Sequence, residues 1–358
     1  MKKTNRFIAN LLVIILLLIP LSGCEQAKSP VTKTGVYFDT VISITLYEKD
    51  SSKLIDECFE LAEKYENLLS KTRANSDVSR VNFSLGEWVL VDKETFGIIK
   101  TGLKYEELSD GHFSIMCGAL TDLWDIPGRS ELISENPDNI SDLTILPTKE
   151  EISDAIQLCG KDTIELNDET CSVKIIKDGA KLDLGAIAKG YIADKMKDYL
   201  VNKGVKHGII QLGGNVLLIG DNPTKSEGYY TIGISAPFSD DESMSKDMSN
   251  TSDIITTVTE KDTSIVTSGN YQRYFKYEDK IYHHIIDLKT GYPADTGLNS
   301  VTIICEKSVD ADCLSTVCFL YGKNKSEELI SMLNSDSEKG SKTNIKAIYV
   351  SDTNELSE

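Results

Sequence analysis

The late segment Asp310-Ala311-Asp312-Cys313-Leu314-Ser315-Thr316 gathers residues with one chemical use. Asp312 and Thr316 stand four apart with Ser315 between them, so a helix puts all three on one side. A carboxylate and two hydroxyls are hard oxygen donors. They suit Mg²⁺, which sits about 2.1 Å from its ligands and leaves places for phosphate oxygens. The plain alternative is that an Asp caps the helix and Thr316 bonds back to its own backbone. A second stretch is its complement: Asp183-Leu184-Gly185-Ala186-Ile187-Ala188-Lys189-Gly190-Tyr191. Small residues let an anionic group approach the backbone, and free N–H groups at a helix start attract phosphate. Lys189 adds a point charge. Read alone, this stretch is an amphipathic surface helix with a capping Asp. Read beside Asp312, it is half of a phosphate site.

The chain has 4 His, and His283 and His284 are adjacent. Neighbouring side chains of a strand face opposite sides, so one can pack while the other faces a cleft. An imidazole near neutrality can take a proton from a hydroxyl. His284 is the candidate base and His283 the filler.

These residues need elements to position them. The spacing predicts a strand over Val36–Tyr47 and a helix over Leu54–Leu69, then a polar loop, Ser70–Asn82. Trp88–Val91 reads as a strand, and Asp92 caps a helix to about Leu108. Residues 128–147 read as an irregular surface loop. Thr148 with Glu151 makes a capping box for a helix ending near Cys159-Gly160. Strands at Thr163–Leu166 and Ser172–Ile176 lead into a helix whose first turn carries Asp183 and Lys189. Gly213-Gly214-Asn215 turns between two further strands. Residues 239–253 are acidic and low in apolar residues, which marks a mobile insertion. Lys280–Asp287 and Ser300–Cys305 are strands, and helices follow at Ser308–Leu320 and near Glu327–Leu333. Strands and helices mix without regular βαβ alternation, so the fold class is α+β, mixed sheets with packed helices in a single domain or two intimately joined lobes.

The 358 residues, 40% of them hydrophobic, suffice for a sizeable core. A net charge of −18 with scattered Lys and Arg argues against nucleic-acid binding. No Walker P-loop, GxGxxG or GxSxG occurs. Of 8 Cys none forms a CxxC pair, which disfavours a zinc cluster.

The N-terminus reads as an export signal. Lys2, Lys3 and Arg6 precede the apolar run Phe7–Ile19, which is too short to span a bilayer comfortably. Leu21-Ser22-Gly23-Cys24 then resembles a bacterial lipoprotein processing site, implying cleavage after residue 23 and a lipid on Cys24. A signal anchor with an incidental Cys is the alternative. Residues 24–35 would be the lipidated Cys and a tether, and 36–358 the folded domain.

DLGAIAKGY, GGN, TSGNY, HHIIDLKTGYP and ADCLST occur in that order. Together they resemble the ApbE family of FAD:protein FMN transferases, from Val36 to the end. The resemblance implies a Mg²⁺-dependent enzyme that moves FMN from FAD onto a Thr or Ser hydroxyl of an exported acceptor protein and releases AMP. It implies that Ala186, Asp312, Ser315 and Thr316 hold the metal and that His284 is the base. It carries nucleotide contacts onto Phe38, Thr72, Ser114, Ile115, Met116, Asp183, Lys189 and Ile286. The chain departs from the family at several of these. Phe38-Asp39 stand where Met-Gly is frequent, Thr72 where an aromatic is frequent, and Ser114-Ile115-Met116 for Asp-x-Thr. Two other readings share these residues: an FAD pyrophosphatase giving FMN and AMP, and a lipid-anchored flavin-binding protein without catalysis.

Overall fold

The computed structural model describes residues 29–84, 86–136, 144–238, 254–335 and 344–358. Cys24 and the 239–253 segment lie outside them. In chain order the described elements begin with β1 (Val31–Tyr37), β2 (Thr40–Leu46), α1 (Ser52–Leu69), α2 (Asp77–Asn82), β3 (Val89–Leu90) and α3 (Lys93–Leu108). Next come α4 (Gly118–Trp124), α5 (Ile126–Glu135), α6 (Lys149–Ile156), β4 (Ile164–Asn167), β5 (Ser172–Ile175) and α7 (Ala188–Asn202). Then follow β6 (Gly208–Leu212), β7 (Asn215–Ile219), β8 (Tyr230–Ser235), β9 (Ile254–Glu260) and β10 (Ser264–Gly269). The chain continues through β11 (Tyr274–Tyr277), β12 (Lys280–His283), β13 (Ile286–Asp287), β14 (Tyr292–Pro293) and β15 (Leu298–Cys305). It ends with α8 (Ser308–Ser335), β16 (Lys346–Ser351) and β17 (Leu356–Ser357).

An eight-stranded sheet in the order β1-β2-β6-β7-β10-β15-β16-β17 is the frame, and every pairing in it is antiparallel. The period-2 alternation of strand side chains gives it two buried faces. Ile42, Ile44, Ile210, Leu217, Val266, Val301 and Ile303 pack under α1, α7 and α8 in the main core. Leu218, Ile265, Ile304 and Ile348, on the other face, pack against the β8–β9 ribbon. A smaller core around Trp124 joins α4 and α6 to Phe275, Ile286 and Leu288. Trp124 Nε1 donates to the Gly291 carbonyl at 2.7 Å, tying this core to the loop after the paired His. The class is α+β, as the element mixture implied.

Several expectations are corrected. Val36–Tyr47 is not one strand: β1 and β2 form a hairpin turning at Phe38-Asp39, both at φ 53. Two left-handed residues make the tight turn that matches strand twist, without the Gly that usually marks it. Phe38 N–H is held by Glu66 Oε1 at 2.9 Å. β1 begins at Val31, five residues before the strand expected from Val36. Ser70–Asn82 contains α2, capped by Ser76 Oγ accepting from Ser79 N–H at 2.9 Å. Part of 128–147 belongs to α5, which starts at an Asp125 cap with Pro127 in its first turn. Lys280–Asp287 is two strands, β12 and β13, rather than one. The kink in α8 at Gly322, φ 69 and ψ 174, separates two helical halves.

Candidate functional site

The N-terminal ends of α7 and α8 meet at Gly190. A Cβ there would lie 2.3 Å from the Ser308 carbonyl oxygen and 2.7 Å from Asp312 Cβ, so only Gly permits this approach. Gly190 N–H donates to Asp312 Oδ2 at 2.8 Å. That diversion starts α7 later than the sequence suggests: Asp183, Gly185 and Ala186 form a turn before the helix, and the Ala186 carbonyl receives no hydrogen bond from the described residues. Asp194, one turn further along α7, accepts from the Ser308 and Val309 N–H groups, each at 2.9 Å. A carboxylate on one helix thus caps the other. Burial pushes the Asp194 carboxyl up to about 6 against those two donors.

Asp312 is buried, and among the described residues its Oδ1 accepts no hydrogen bond and its ion-pair partner is Lys189 Nζ at 4.0 Å. Burial raises its pKa, opposed by Lys189 and the Gly190 N–H. Lys189 Nζ donates to the Gly185 carbonyl at 3.1 Å. Ser315 Oγ donates to the Asp312 carbonyl at 3.0 Å and lies 2.8 Å from Ser268 Oγ on β10. Thr316 Oγ1 is 3.2 Å from Ser268 Oγ.

Asp183 sits in a network that the sequence did not reveal. Its Oδ2 meets Lys71 Nζ and Thr121 Oγ1, each at 2.8 Å, and its Oδ1 accepts from Gly185 N–H at 2.9 Å. The carboxylate is thereby occupied by protein groups, and it shapes the turn that presents the Gly185 and Ala186 carbonyls. Asn82 of α2 clamps the adjacent Leu182 backbone at both N–H and C=O, at 2.7 and 2.9 Å. Burial works to raise the Asp183 pKa, but Lys71 and the other donors outweigh it and hold the carboxyl below its usual range. Lys71 carried no periodic or motif signal; it is one cation in a polar run. Replacing it by Met should cost about 2 kcal/mol at neutral pH, since a buried carboxylate loses its partner. A depressed pKa stabilises above the unfolded value, so this difference should close as pH falls below about 4. Urea midpoints of wild type and Lys71→Met across that range check it.

The paired His divide at the end of β12: His283 is its last residue, and His284 lies in the bend before β13. His283 is buried; its Nε2 donates to the Ala294 carbonyl at 2.9 Å, and burial lowers its pKa to about 4. His284 is half-buried, and its Nδ1 lies 3.2 Å from the Arg273 carbonyl. Only a donating nitrogen satisfies a carbonyl, so the proton is on Nδ1 and Nε2 keeps a lone pair. Burial, then His283 and Lys189, lower its pKa to about 3, so the ring is neutral and its Nε2 lone pair is unprotonated. Ile286, in β13, is buried in the Trp124 core.

Other residues singled out in the sequence lie at the rim or in the core. Phe38 is at the hairpin turn. Thr72 is exposed and lines a cleft of about 180 Å³ with Lys71, Asn82, Phe83, Asp122 and Lys181. A larger cleft of about 590 Å³, beside Lys64, Asp92 and Cys171, contains none of the residues above. Ser114, Ile115 and Met116 are buried. Ser114 Oγ donates to Glu106 and accepts from Met116 N–H at 2.9 Å, while the Ile115 carbonyl accepts from Asp183 N–H at 2.8 Å. The Ile115 main chain thus holds the start of the Asp183 turn.

No cluster of three His, Cys, Asp or Glu occurs among the described residues, so a soft or wholly protein-built centre has no ligands here. One buried carboxylate with an unbonded oxygen, an unpaired main-chain carbonyl and a hydroxyl fit a hard cation that keeps open positions for phosphate oxygens. The residues therefore fit Mg²⁺.

The chain is similar to several known proteins. The FAD:protein FMN transferase of Klebsiella pneumoniae is 34% identical over 293 residues, covering 82% of this chain and 83% of its own length. The FAD:protein FMN transferase of Treponema pallidum is 28% identical over 335 residues, covering 89% and 86%. The crystal structure of the ApbE protein from Thermotoga maritima matches with a TM-score of 0.75 at 28% identity, over 92% of this chain and 96% of that one. The flavin transferase ApbE from Vibrio cholerae has the same fold, with a TM-score of 0.69 at 23% identity over 92% and 96%. The ApbE family profile spans residues 38–338, from the hairpin turn through the helix that carries Asp312, so the chain belongs to the ApbE family.

Proposed function

We propose that this chain is a FAD:protein FMN transferase that uses Mg²⁺ and joins FMN to a Thr or Ser hydroxyl of an acceptor protein. The observation that carries the reading is the contact of Gly190 N–H with Asp312 Oδ2, which sets a phosphate-binding helix start beside a hard-oxygen donor set. The acceptor oxygen attacks the FMN phosphorus, the P–O bond to the AMP phosphate breaks, and AMP leaves. His284 Nε2 takes the hydroxyl proton. Lys189 and the α7 start carry part of the diphosphate charge. Asp312, the Ala186 carbonyl and Thr316 would hold the cation, which supplies charge neutralisation to the diphosphate when bound. Positioning and electrostatics are most of what phosphoryl transfer asks of a protein.

Incubation with FAD, Mg²⁺ and a candidate acceptor domain tests this by mass spectrometry. Covalent FMN on the acceptor is the expected product. Free FMN with AMP would mean that water is the acceptor, and unchanged FAD would reduce the protein to a binder. His284→Ala should keep FAD binding while transfer slows by about 10²- to 10⁴-fold. Loss of FAD binding instead would assign His284 a structural role.

The same reading places the enzyme on the outer face of the membrane, held by a lipid on Cys24. The basic start, apolar run and Leu-Ser-Gly-Cys sequence support this. Cell fractionation should find wild type with membranes and Cys24→Ala in the soluble fraction; equal partitioning ends the anchor assignment.

A further inference from the structure

Ser268 is buried on β10, touches two hydroxyls of α8, and has no part in the reaction above. We infer that Ser268 is a positioning residue that turns the Thr316 hydroxyl so its lone pairs face the cation, while Ser315 stands behind as part of the same chain of hydroxyls. The inference rests on the metal assignment of the proposed function.

Each hydroxyl has one proton to give and lone pairs to receive. Ser315 Oγ gives its proton to the Asp312 carbonyl at 3.0 Å. Ser268, 2.8 Å from Ser315 Oγ, must then be the donor of that pair. Its own lone pairs remain, and Thr316 Oγ1 lies 3.2 Å away. The alternative acceptor for Thr316, the Asp312 carbonyl, is farther off at 3.4 Å, so Ser268 is the nearer of the two. So the protons run Thr316 to Ser268 to Ser315 to the Asp312 carbonyl. Thr316 has sent its proton inward, and its lone pairs point away from β10. Ser315 is fully buried with its proton given and a lone pair taken, whereas Thr316 is half-buried. Of the two hydroxyls carried over from the resemblance, Thr316 is the one free to bind.

Without Ser268, the Thr316 proton keeps only the farther acceptor, the Asp312 carbonyl, on the inner side and competes with the cation for the outer one. Groups that orient a metal ligand typically change metal affinity by about 10- to 100-fold when removed.

The test titrates Mn²⁺ into the protein with FAD present and reads free Mn²⁺ by electron paramagnetic resonance, independently of transfer. Ser268→Ala should weaken Mn²⁺ binding by about 10- to 100-fold. Ser268→Thr, which keeps the hydroxyl, should restore it. Thr316→Val should weaken it too, and the double variant should bind no worse than Thr316→Val alone, because both changes break one chain. Wild-type affinity in Ser268→Ala, or losses that add in the double variant, overturns the inference. Thermal midpoints separate misfolding from a local effect: a Ser268→Ala chain that melts early while Ser268→Thr fails to restore binding also counts against it. Mn²⁺ binding with this pattern but no FMN transfer would sink the proposed function and leave Ser268 its role.

Discussion

Asp312→Asn is expected to leave the protein folded and to abolish FMN transfer, with a loss of at least about 10³-fold, or roughly 4 kcal/mol of transition-state stabilisation. Asn is the informative choice. Its side-chain oxygen can still accept the Gly190 N–H, so the α7–α8 junction keeps its hydrogen bond. What disappears is the charge on a buried oxygen that, among the described residues, has no hydrogen-bond donor and pairs with Lys189 at 4.0 Å. Removing that buried carboxylate also relieves a desolvation cost, so the melting temperature should hold or rise slightly. The expected pair of results, stability kept and activity lost, is what a group retained for function rather than folding should give. Mass spectrometry of the acceptor and a thermal melt read both. Transfer at the normal rate in Mg²⁺ would show that Asp312 does not hold the cation.

Local chemistry made some parts of this architecture legible. The Thr148 capping box is present, with Glu151 N–H donating to Thr148 Oγ1 at 3.2 Å, because its groups are three residues apart and need nothing else. Asp92 caps α3 for the same reason. The paired His do sort into one buried and one half-buried ring, but His284 sits in a bend after β12 rather than on the strand that the alternation assumed. The hairpin at Phe38-Asp39 was hidden because an apolar and β-branched run continues across it. Its turn is held by Glu66 from α1, and no local pattern announces a distant partner. Lys71 was missed on similar grounds, and Ser268 was visible only as a member of TSGNY, without a role. Each acts through contacts made by folding, on Asp183 and on Thr316, rather than through a neighbour in sequence. The start of α7 was misplaced because its deciding hydrogen bond leaves the helix and ends on α8.

That interhelical contact also makes Gly190 the position with the largest expected effect on stability. Helix propensity alone predicts that Gly190→Ala stabilises α7 by about 1 kcal/mol. Packing predicts the opposite. The added Cβ would fall 2.3 Å from the Ser308 oxygen, 2.7 Å from the Ser308 carbonyl carbon and 2.7 Å from Asp312 Cβ. Two of those atoms are main chain and cannot rotate away. They are also held in place, since Asp194 fixes the Ser308 and Val309 N–H groups onto α7. The helices must therefore separate, loosening the Asp194 cap and the Gly190–Asp312 bond together. Overpacking of this kind costs about 1–3 kcal/mol and more where backbone must move, so packing outweighs propensity. A net loss of about 3 kcal/mol would lower the melting temperature of a domain this size by roughly 6–10 °C. Transfer should fall as well, because Asp312 moves relative to Lys189 and the Ala186 carbonyl. Thermal melts of wild type and Gly190→Ala decide between the two effects: a higher melting temperature in the variant would mean that propensity wins and that the two helices do not meet this closely.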